Sequence, residues 1–144
     1  MDYFNYKQDE LFAEEVSLKD IAEQHGTPAY VYSRATLERH AKAYTDSFSA
    51  MSGLVCFSVK ALSNISILKV LKDCGCGFDI VSGGELHRAL LAGADPQKII
   101  FSGVGKSEVE MAAGINSGIL SFNIESKSEL MRLESVASSM QKIA

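Results

Sequence analysis

The chain has 144 residues but no tryptophan, only 2 prolines and only 3 cysteines. The cysteines are odd in number, and Cys74 and Cys76 are separated by a single glycine. This spacing matches neither a disulfide framework nor a zinc site. We therefore expect no bound metal. We interpret Cys56 as a small buried apolar residue and do not favour a redox role for Cys74 or Cys76.

Long apolar runs and an excess of basic charge are also missing. No run approaches the roughly 20 apolar residues that span a bilayer, and residues 1–6 lack the basic and apolar regions of a secretory signal. The formal net charge of −4 provides no basic stripe for nucleic acid and no polybasic membrane anchor. With 47% apolar and 22% charged residues, the sequence predicts a globular cytoplasmic protein without nucleic-acid or membrane partners.

What the sequence does contain is a repeat of about 21 to 23 residues that begins at residue 55. Each unit joins a short apolar run to an amphipathic helical pattern, which is typical of strands and helices that alternate around a parallel sheet. The predicted strands are 55–60, 77–82, 98–103 and 118–124, and the predicted helices are 65–73, 85–92, 108–116 and 127–138. The fold class is therefore α/β.

Helix boundaries in the repeat carry sequence signals. Three S-x-x-E capping boxes are formed by Ser82 with Glu85, Ser107 with Glu110 and Ser126 with Glu129. Three glycines lie where left-handed helix ends are expected, at Gly75, Gly93 and Gly118. These signals support the helical units.

A different segment precedes the repeat. Its predicted elements are a loose β-ribbon over 1–14, a helix over 17–25, a strand over 29–32 and a helix over 33–50. One early strand plus four strand-helix units do not close an eight-stranded barrel, which usually takes about 250 residues. An open sheet would expose an unpaired edge, so we expect the chain to be the N-terminal part of a longer protein.

Lys60 is the first candidate for chemistry. It ends the apolar run 55–60, and the turn-forming segment 61–64 follows before the next helix. In α/β folds, functional groups collect at this carboxyl end of the parallel strands. The lysine is either a nucleophile that forms Schiff bases or a packed stem whose ammonium reaches water.

Three further residues are candidates near Lys60. Ser58 lies two positions earlier and shares its face of the strand, where a small side chain leaves room for a flat ligand. Asp79 interrupts an apolar strand, and a buried carboxylate requires a partner, so its role is structural or catalytic. Glu85, in Ser-Gly-Gly-Glu, either caps a helix or places a carboxylate near the lysine.

The run Gly-Val-Gly-Lys-Ser at 103–107 is not a nucleotide phosphate loop. That motif requires a glycine at position 100, where the chain has Ile100. The three histidines form no cluster on the predicted elements. Neither feature indicates a site, and we interpret the run as a turn into a capped helix.

Five blocks of the chain resemble the fold-type III pyridoxal-phosphate decarboxylases, and in particular their diaminopimelate decarboxylase branch. In order, the blocks are G-T-P-A-Y-V-Y at 26–32, F-S-V-K-A-L-S-N at 57–64, G-F-D-I-V-S-G-G-E-L at 77–86, F-S-G-V-G-K-S at 101–107 and F-N-I-E-S at 122–126. Leu62 departs from the family pattern, where asparagine is usual, and Ser58 stands where alanine is usual.

The resemblance implies part of an alanine-racemase-like (β/α)8 barrel over 15–144, with 1–14 belonging to a separate β-domain. It implies that Lys60 binds pyridoxal 5'-phosphate covalently, that Ser58, Asp79 and Glu85 lie at the cofactor site, and that the complete protein is a homodimer. The implied reaction is decarboxylation of meso-2,6-diaminopimelate to L-lysine. The family's remaining site residues would lie beyond residue 144, so the chain alone is expected to bind the cofactor weakly and to be inactive.

Two alternatives remain open from the sequence. One is a related decarboxylase of arginine, ornithine or carboxynorspermidine, because most substrate-selecting residues would lie outside the chain. The other is a non-catalytic half-barrel, against which the exposed sheet edge argues.

Overall fold

The computed structural model describes residues 2–51 and 53–141. Within them lie two sheets, one antiparallel with three strands and one parallel with four. None of the helices in these residues is long and apolar enough to cross a membrane.

The antiparallel sheet is formed by the N-terminal segment. Its strands are β1 (Phe4–Lys7), β2 (Glu10–Ala13) and β3 (Val16–Ser17), in that order. Helix α1 (Leu18–His25) follows directly, and helix α2 (Arg34–Ser49) begins after an irregular stretch.

Glu14 links the antiparallel sheet to α2. Its carboxylate accepts hydrogen bonds from Ser33 Oγ at 2.8 Å and from the Ala35 N–H at 2.9 Å. These bonds lower the pKa of Glu14, the Ala35 N–H having the largest effect. The first turn of α2 is therefore held by a residue from the preceding segment as well as by its own N-cap, Ser33.

The parallel sheet follows the predicted repeat. Its strands, in spatial and chain order, are β4 (Cys56–Ser58), β5 (Gly77–Ile80), β6 (Ile99–Phe101) and β7 (Ser121–Phe122). The helices between and after them are α3 (Ile65–Asp73), α4 (Gly83–Leu91), α5 (Glu108–Ser117) and α6 (Lys127–Ser139). Short 3-10 turns occupy Val59–Ala61 and Pro96–Lys98.

The core lies between the parallel sheet and its helices. Alternate residues of the two central strands are fully buried, namely Phe78, Ile80, Ile99 and Phe101. They pack in one cluster with helix residues that include Leu68, Leu86 and Ala89. Because side chains alternate across a strand, the residues between them, Asp79 and Ile100, point to the opposite face of the sheet.

The structure confirms most predicted elements and corrects others. The stretch 29–32 is not a strand, since no described strand pairs with it and Tyr30 is 92% exposed. The fourth strand is only two residues long, Ser121–Phe122, and Gly118 ends α5 in a left-handed conformation shortly before it. The ribbon predicted for 1–14 extends to Ser17, and its first residue lies outside the described chain.

The helix signals are confirmed in part. Gly75, Gly93 and Gly118 all have positive φ, at 88°, 82° and 68°. Ser82, Ser107 and Ser126 each cap a helix, but only Ser107 with Glu110 forms the complete capping box. In the other two pairs, the glutamate accepts instead from the N–H one residue before the serine, at Val81 and Glu125.

Candidate functional site

Lys60 lies at the carboxyl end of β4, in the 3-10 turn that begins immediately after the strand. The preceding Val59 is fully buried and anchors this turn in the core. The lysine itself is exposed, and its ammonium has no hydrogen-bond or ion-pair partner among the described residues. A strand-end amine without an internal partner is available to a ligand.

Asp79, on the strand beside β4, accepts hydrogen bonds from two serine hydroxyls. Asp79 is the direct register partner of Ser58 in the β4–β5 ladder, and Ser58 Oγ donates to Asp79 Oδ2 at 3.1 Å. Ser102, just beyond β6, donates its hydroxyl to the other oxygen, Oδ1. The carboxylate therefore bridges three neighbouring strands, as expected for a partly buried charge that needs donors.

The arrangement continues to the fourth strand. Asn123 follows β7, and its side-chain Nδ2 donates to Ser102 Oγ at 2.9 Å. We call the four residues Ser58, Asp79, Ser102 and Asn123 the polar chain. Their separations in sequence are 21, 23 and 21 residues, so each strand-helix unit contributes one member at the same end of the sheet.

Asp79 and Lys60 belong to neighbouring segments, since β5 pairs with β4 and Lys60 follows β4. Their side chains form no ion pair within the described residues, and both oxygens of Asp79 instead bind hydroxyls. The Asp79 carboxylate is thus held by the two serine hydroxyls.

Glu85 has a local structural contact. Its Oε2 accepts from the Val81 N–H at 2.8 Å, and its own N–H donates to Ser82 Oγ at 3.2 Å. These bonds fix the turn between β5 and α4. Within the described residues, neither of them joins Glu85 to Lys60 or the polar chain, so a cofactor-binding role for Glu85 stays a prediction.

Sequence reasoning missed Ser102, Asn123 and Lys106. The signal for the first two was the repeat itself, because each follows an apolar run at the spacing that relates Ser58 to Asp79. Lys106 gave no such signal, since a lysine in a glycine-rich turn is ordinarily exposed.

Lys106 is in fact only 2% exposed. Its ammonium donates to the carbonyl oxygens of Gly103 and Asn123, the latter at 2.8 Å, and lies 2.8 Å from Glu129 Oε1. Burial alone would raise the pKa of Glu129, but the contacts with Lys106 and the Glu125 N–H outweigh it and lower the pKa. The two charges form a buried ion pair between the loop that follows β6 and helix α6.

The cysteines contribute no chemistry to this edge, and an apolar cavity borders it at Ser58. Burial raises the pKa of the Cys56, Cys74 and Cys76 thiols, which keeps them protonated and unreactive near neutral pH. A cavity of about 490 Å³ lies between α2 and β4. Its walls are mainly apolar and include Ser58, a member of the polar chain, but not Lys60 or Asp79.

Comparison with known proteins gives a consistent result. The family model described as the pyridoxal binding domain of the pyridoxal-dependent decarboxylases matches residues 34–144. The chain is 56% identical to a diaminopimelate decarboxylase of Vibrio cholerae over 138 residues, which are 95% of the chain and 33% of that protein. It is 54% identical to the corresponding protein of Pseudomonas aeruginosa, over 97% of the chain and 34% of that protein.

Solved structures agree. The diaminopimelate decarboxylase of M. jannaschii in complex with L-lysine superposes with a TM-score of 0.89 at 31% identity, over 98% of the chain and 34% of that protein. The chain therefore spans about a third of the length of the curated relatives it matches. Its parallel sheet and helices are α/β and match part of the fold of these structures, consistent with a partial (β/α)8 barrel of the alanine-racemase-like type.

Proposed function

The chain belongs to the pyridoxal-dependent decarboxylase family, and on this basis we propose that the natural protein decarboxylates meso-2,6-diaminopimelate to L-lysine. The observation that carries the proposal is the 56% identity to a diaminopimelate decarboxylase across 95% of the chain. In this proposal the chain supplies the residue that binds the cofactor and part of the wall around it.

The residues at the carboxyl edge fit pyridoxal phosphate. The exposed ammonium of Lys60 has no partner in the described chain, as expected of an amine that binds an external aldehyde. Pyridoxal phosphate, when bound, supplies that aldehyde and a ring that takes up the electrons released with CO2. The polar chain beside Lys60 supplies hydrogen-bonding groups on one face of the site.

Lys60 has two tasks in this proposal. It holds the cofactor between turnovers, and its amine must be free of its proton to do so, because only the neutral amine is a nucleophile. A substrate amine would have to take its place before reaction, so Lys60 would need to be released from the cofactor in each turnover. Val59 is fully buried and anchors the backbone next to Lys60. The Lys60 side chain therefore extends from a fixed position.

The polar chain is proposed to orient the site. Two hydroxyl donors fix the Asp79 carboxylate, and a fixed carboxylate keeps a constant orientation in the site. Correct placement of the bond to be broken is a large part of decarboxylation catalysis, since a group held in the reactive geometry needs little further ordering.

The substrate is tested with the natural protein at full length. CO2 release is measured with pyridoxal phosphate and, separately, meso-diaminopimelate, arginine, ornithine or carboxynorspermidine. We expect L-lysine from meso-diaminopimelate, with the other three turned over at least about 100-fold more slowly. Faster turnover of one of those three would reassign the substrate within the family. No turnover and no cofactor binding would support a non-catalytic role and overturn the proposal.

Three further expectations belong to the natural protein. We propose that it is a homodimer, that residues 1–14 pack with a separate β-domain, and that it works in the cytoplasm, where the three free cysteines would stay reduced. Light scattering after gel filtration tests the first. A monomer that retains full activity would contradict it.

A further inference from the structure

Lys106 is a buried cation that the proposed reaction does not use. Its side chain has no exposed surface, and that of Glu129 is 8% exposed. An ammonium has three hydrogens to donate. The ammonium donates to two backbone oxygens, those of Gly103 and Asn123. Glu129 Oε1 lies 2.8 Å away as its ion-pair partner.

The positions of the two carbonyls are informative. Asn123 is a member of the polar chain, and Gly103 directly follows another member, Ser102. The carbonyls thus belong to the ends of two different strands, β6 and β7. The Lys106 ammonium therefore connects, by hydrogen bonds, the two backbone segments that carry Ser102 and Asn123.

We propose that Lys106 is a positioning residue, which holds Ser102 and Asn123 in place and through them fixes Asp79. Glu129, from α6, is the counter-charge that permits an ammonium to lie in this interior. The last step of the inference, from Asp79 to cofactor binding, rests on the proposed function. The earlier steps concern only the arrangement of this chain.

An apolar side chain would not perform this task. Well-packed apolar residues often stabilise a protein as well as a buried ion pair does, so stability alone does not require Lys106. Such residues would leave the carbonyls of Gly103 and Asn123 without their donor, and the two strand ends would no longer be joined at this point.

The test variant replaces both charges, as Lys106→Met with Glu129→Gln, so that no unpaired charge remains buried. The glutamine side chain keeps an amide oxygen for the Glu125 N–H, which Glu129 Oε2 accepts at 2.7 Å. The matched control is Lys72→Met. Lys72 pairs with its neighbour Asp73 at the end of α3 and lies away from the polar chain.

The first measurement uses the natural protein at full length without cofactor. Hydrogen exchange is followed by mass spectrometry in peptides that cover 101–105 and 121–125. We expect exchange there to be about tenfold faster in the double variant, with α3 and the control unchanged. Unchanged exchange in both segments, or acceleration across the whole molecule, would overturn the positioning role.

The second measurement asks whether Lys106 acts through Ser102. The double variant, Ser102→Ala and their combination are compared for the Kd of pyridoxal phosphate. We expect about a tenfold weaker Kd in the double variant, and less than about a twofold further effect when the same changes are added to Ser102→Ala. Fully additive effects would show that Lys106 does not act through Ser102.

The two readouts separate the inference from the proposed function. If the unmodified protein binds no pyridoxal phosphate, the proposed function fails, while hydrogen exchange still decides whether Lys106 positions the strand ends. If the cofactor binds and exchange is unaffected by the variant, the proposed function stands and the inference fails.

Discussion

Ser58 Oγ donates a hydrogen bond to Asp79 Oδ2 across 3.1 Å, and the two residues face each other in the β4–β5 register. The pair lies beside the turn that carries Lys60, the proposed cofactor lysine. The Asp79 carboxylate therefore accepts hydrogen bonds from serine hydroxyls and not from the lysine. The amine stays available, and the carboxylate becomes a fixed part of the site wall.

Asp79→Asn tests this arrangement. The asparagine amide has no charge. Its NH2 group is a donor, so one of the two serine hydroxyls would have to accept a hydrogen bond where it now donates one. Because hydrogen bonds to charged groups contribute about 1.5–3 kcal/mol each, we expect the free energy of unfolding to fall by about 1–3 kcal/mol in urea denaturation. We also expect the Kd of pyridoxal phosphate to weaken about tenfold, because the proposed site loses the fixed charge of Asp79.

The control for this change is Asp46→Asn on the exposed side of α2. It should alter neither stability nor cofactor binding, because an isolated surface charge contributes little. Equal effects at positions 46 and 79 would contradict the role given to Asp79.

Gly77→Ala tests the packing under the site. A Cβ at Gly77 would lie 2.3 Å from the carbonyl oxygen of Lys98 and 3.0 Å from Cys56 Sγ. The carbonyl is backbone, so β5 or its neighbour must shift, and we expect a loss of about 1–3 kcal/mol in the free energy of unfolding.

Gly84→Ala is the matched substitution for Gly77→Ala. Its Cβ would meet only Ser82 Oγ, at 3.8 Å, and it lies in the first turn of α4. We expect no loss, or a gain of about 0.4–1 kcal/mol from the less flexible unfolded chain. Thermal unfolding of both variants checks the pair, and a Gly77 variant as stable as the Gly84 variant would show that the strands have room there.

Glu110 predicts a pH dependence. Its carboxylate accepts from the Gly83 N–H at 2.7 Å and from Ser107 at the N–H and hydroxyl, and these bonds lower its pKa below the usual value, the Gly83 N–H most of all. A lowered pKa in the folded state adds stability above the unfolded-state pKa, and this stability is lost as pH falls through the folded-state value.

We therefore expect Glu110→Gln to reduce the free energy of unfolding by about 1 kcal/mol at pH 7, the usual size of a helix-cap contribution. The difference from the unmodified protein should shrink as pH falls below about 5. Urea denaturation at several pH values measures it, with Glu108→Gln, an exposed residue of the same helix turn, as control. A difference that grows toward acid would reverse the predicted sign.

Much of the parallel sheet was predictable because apolar runs and capping signals agree in every unit. The stretch 29–32 was not, since apolar and aromatic residues favour a strand only where a partner strand is present, and none lies beside it in the described chain. The strand propensity of a segment does not show whether another strand lies beside it.

The sequence pointed to part of the candidate site. Lys60 was singled out because it ends an apolar run, and Asp79 because it interrupts one. Ser102 and Asn123 follow their apolar runs at the repeat spacing, but their contact with each other is seen only where the ladder sets the two strand ends side by side. Lys106 could not be recognised, because its burial depends on carbonyls and a carboxylate from three separate parts of the chain.

The central claim is that Lys60 binds the cofactor. The most direct test incubates the natural protein at full length with pyridoxal phosphate, reduces the complex with borohydride and locates the added mass by peptide mapping. We expect the modification on Lys60, its loss in Lys60→Ala, and its retention in Lys69→Ala on the exposed face of α3. Stoichiometric modification of another lysine, or none at all, would contradict the account.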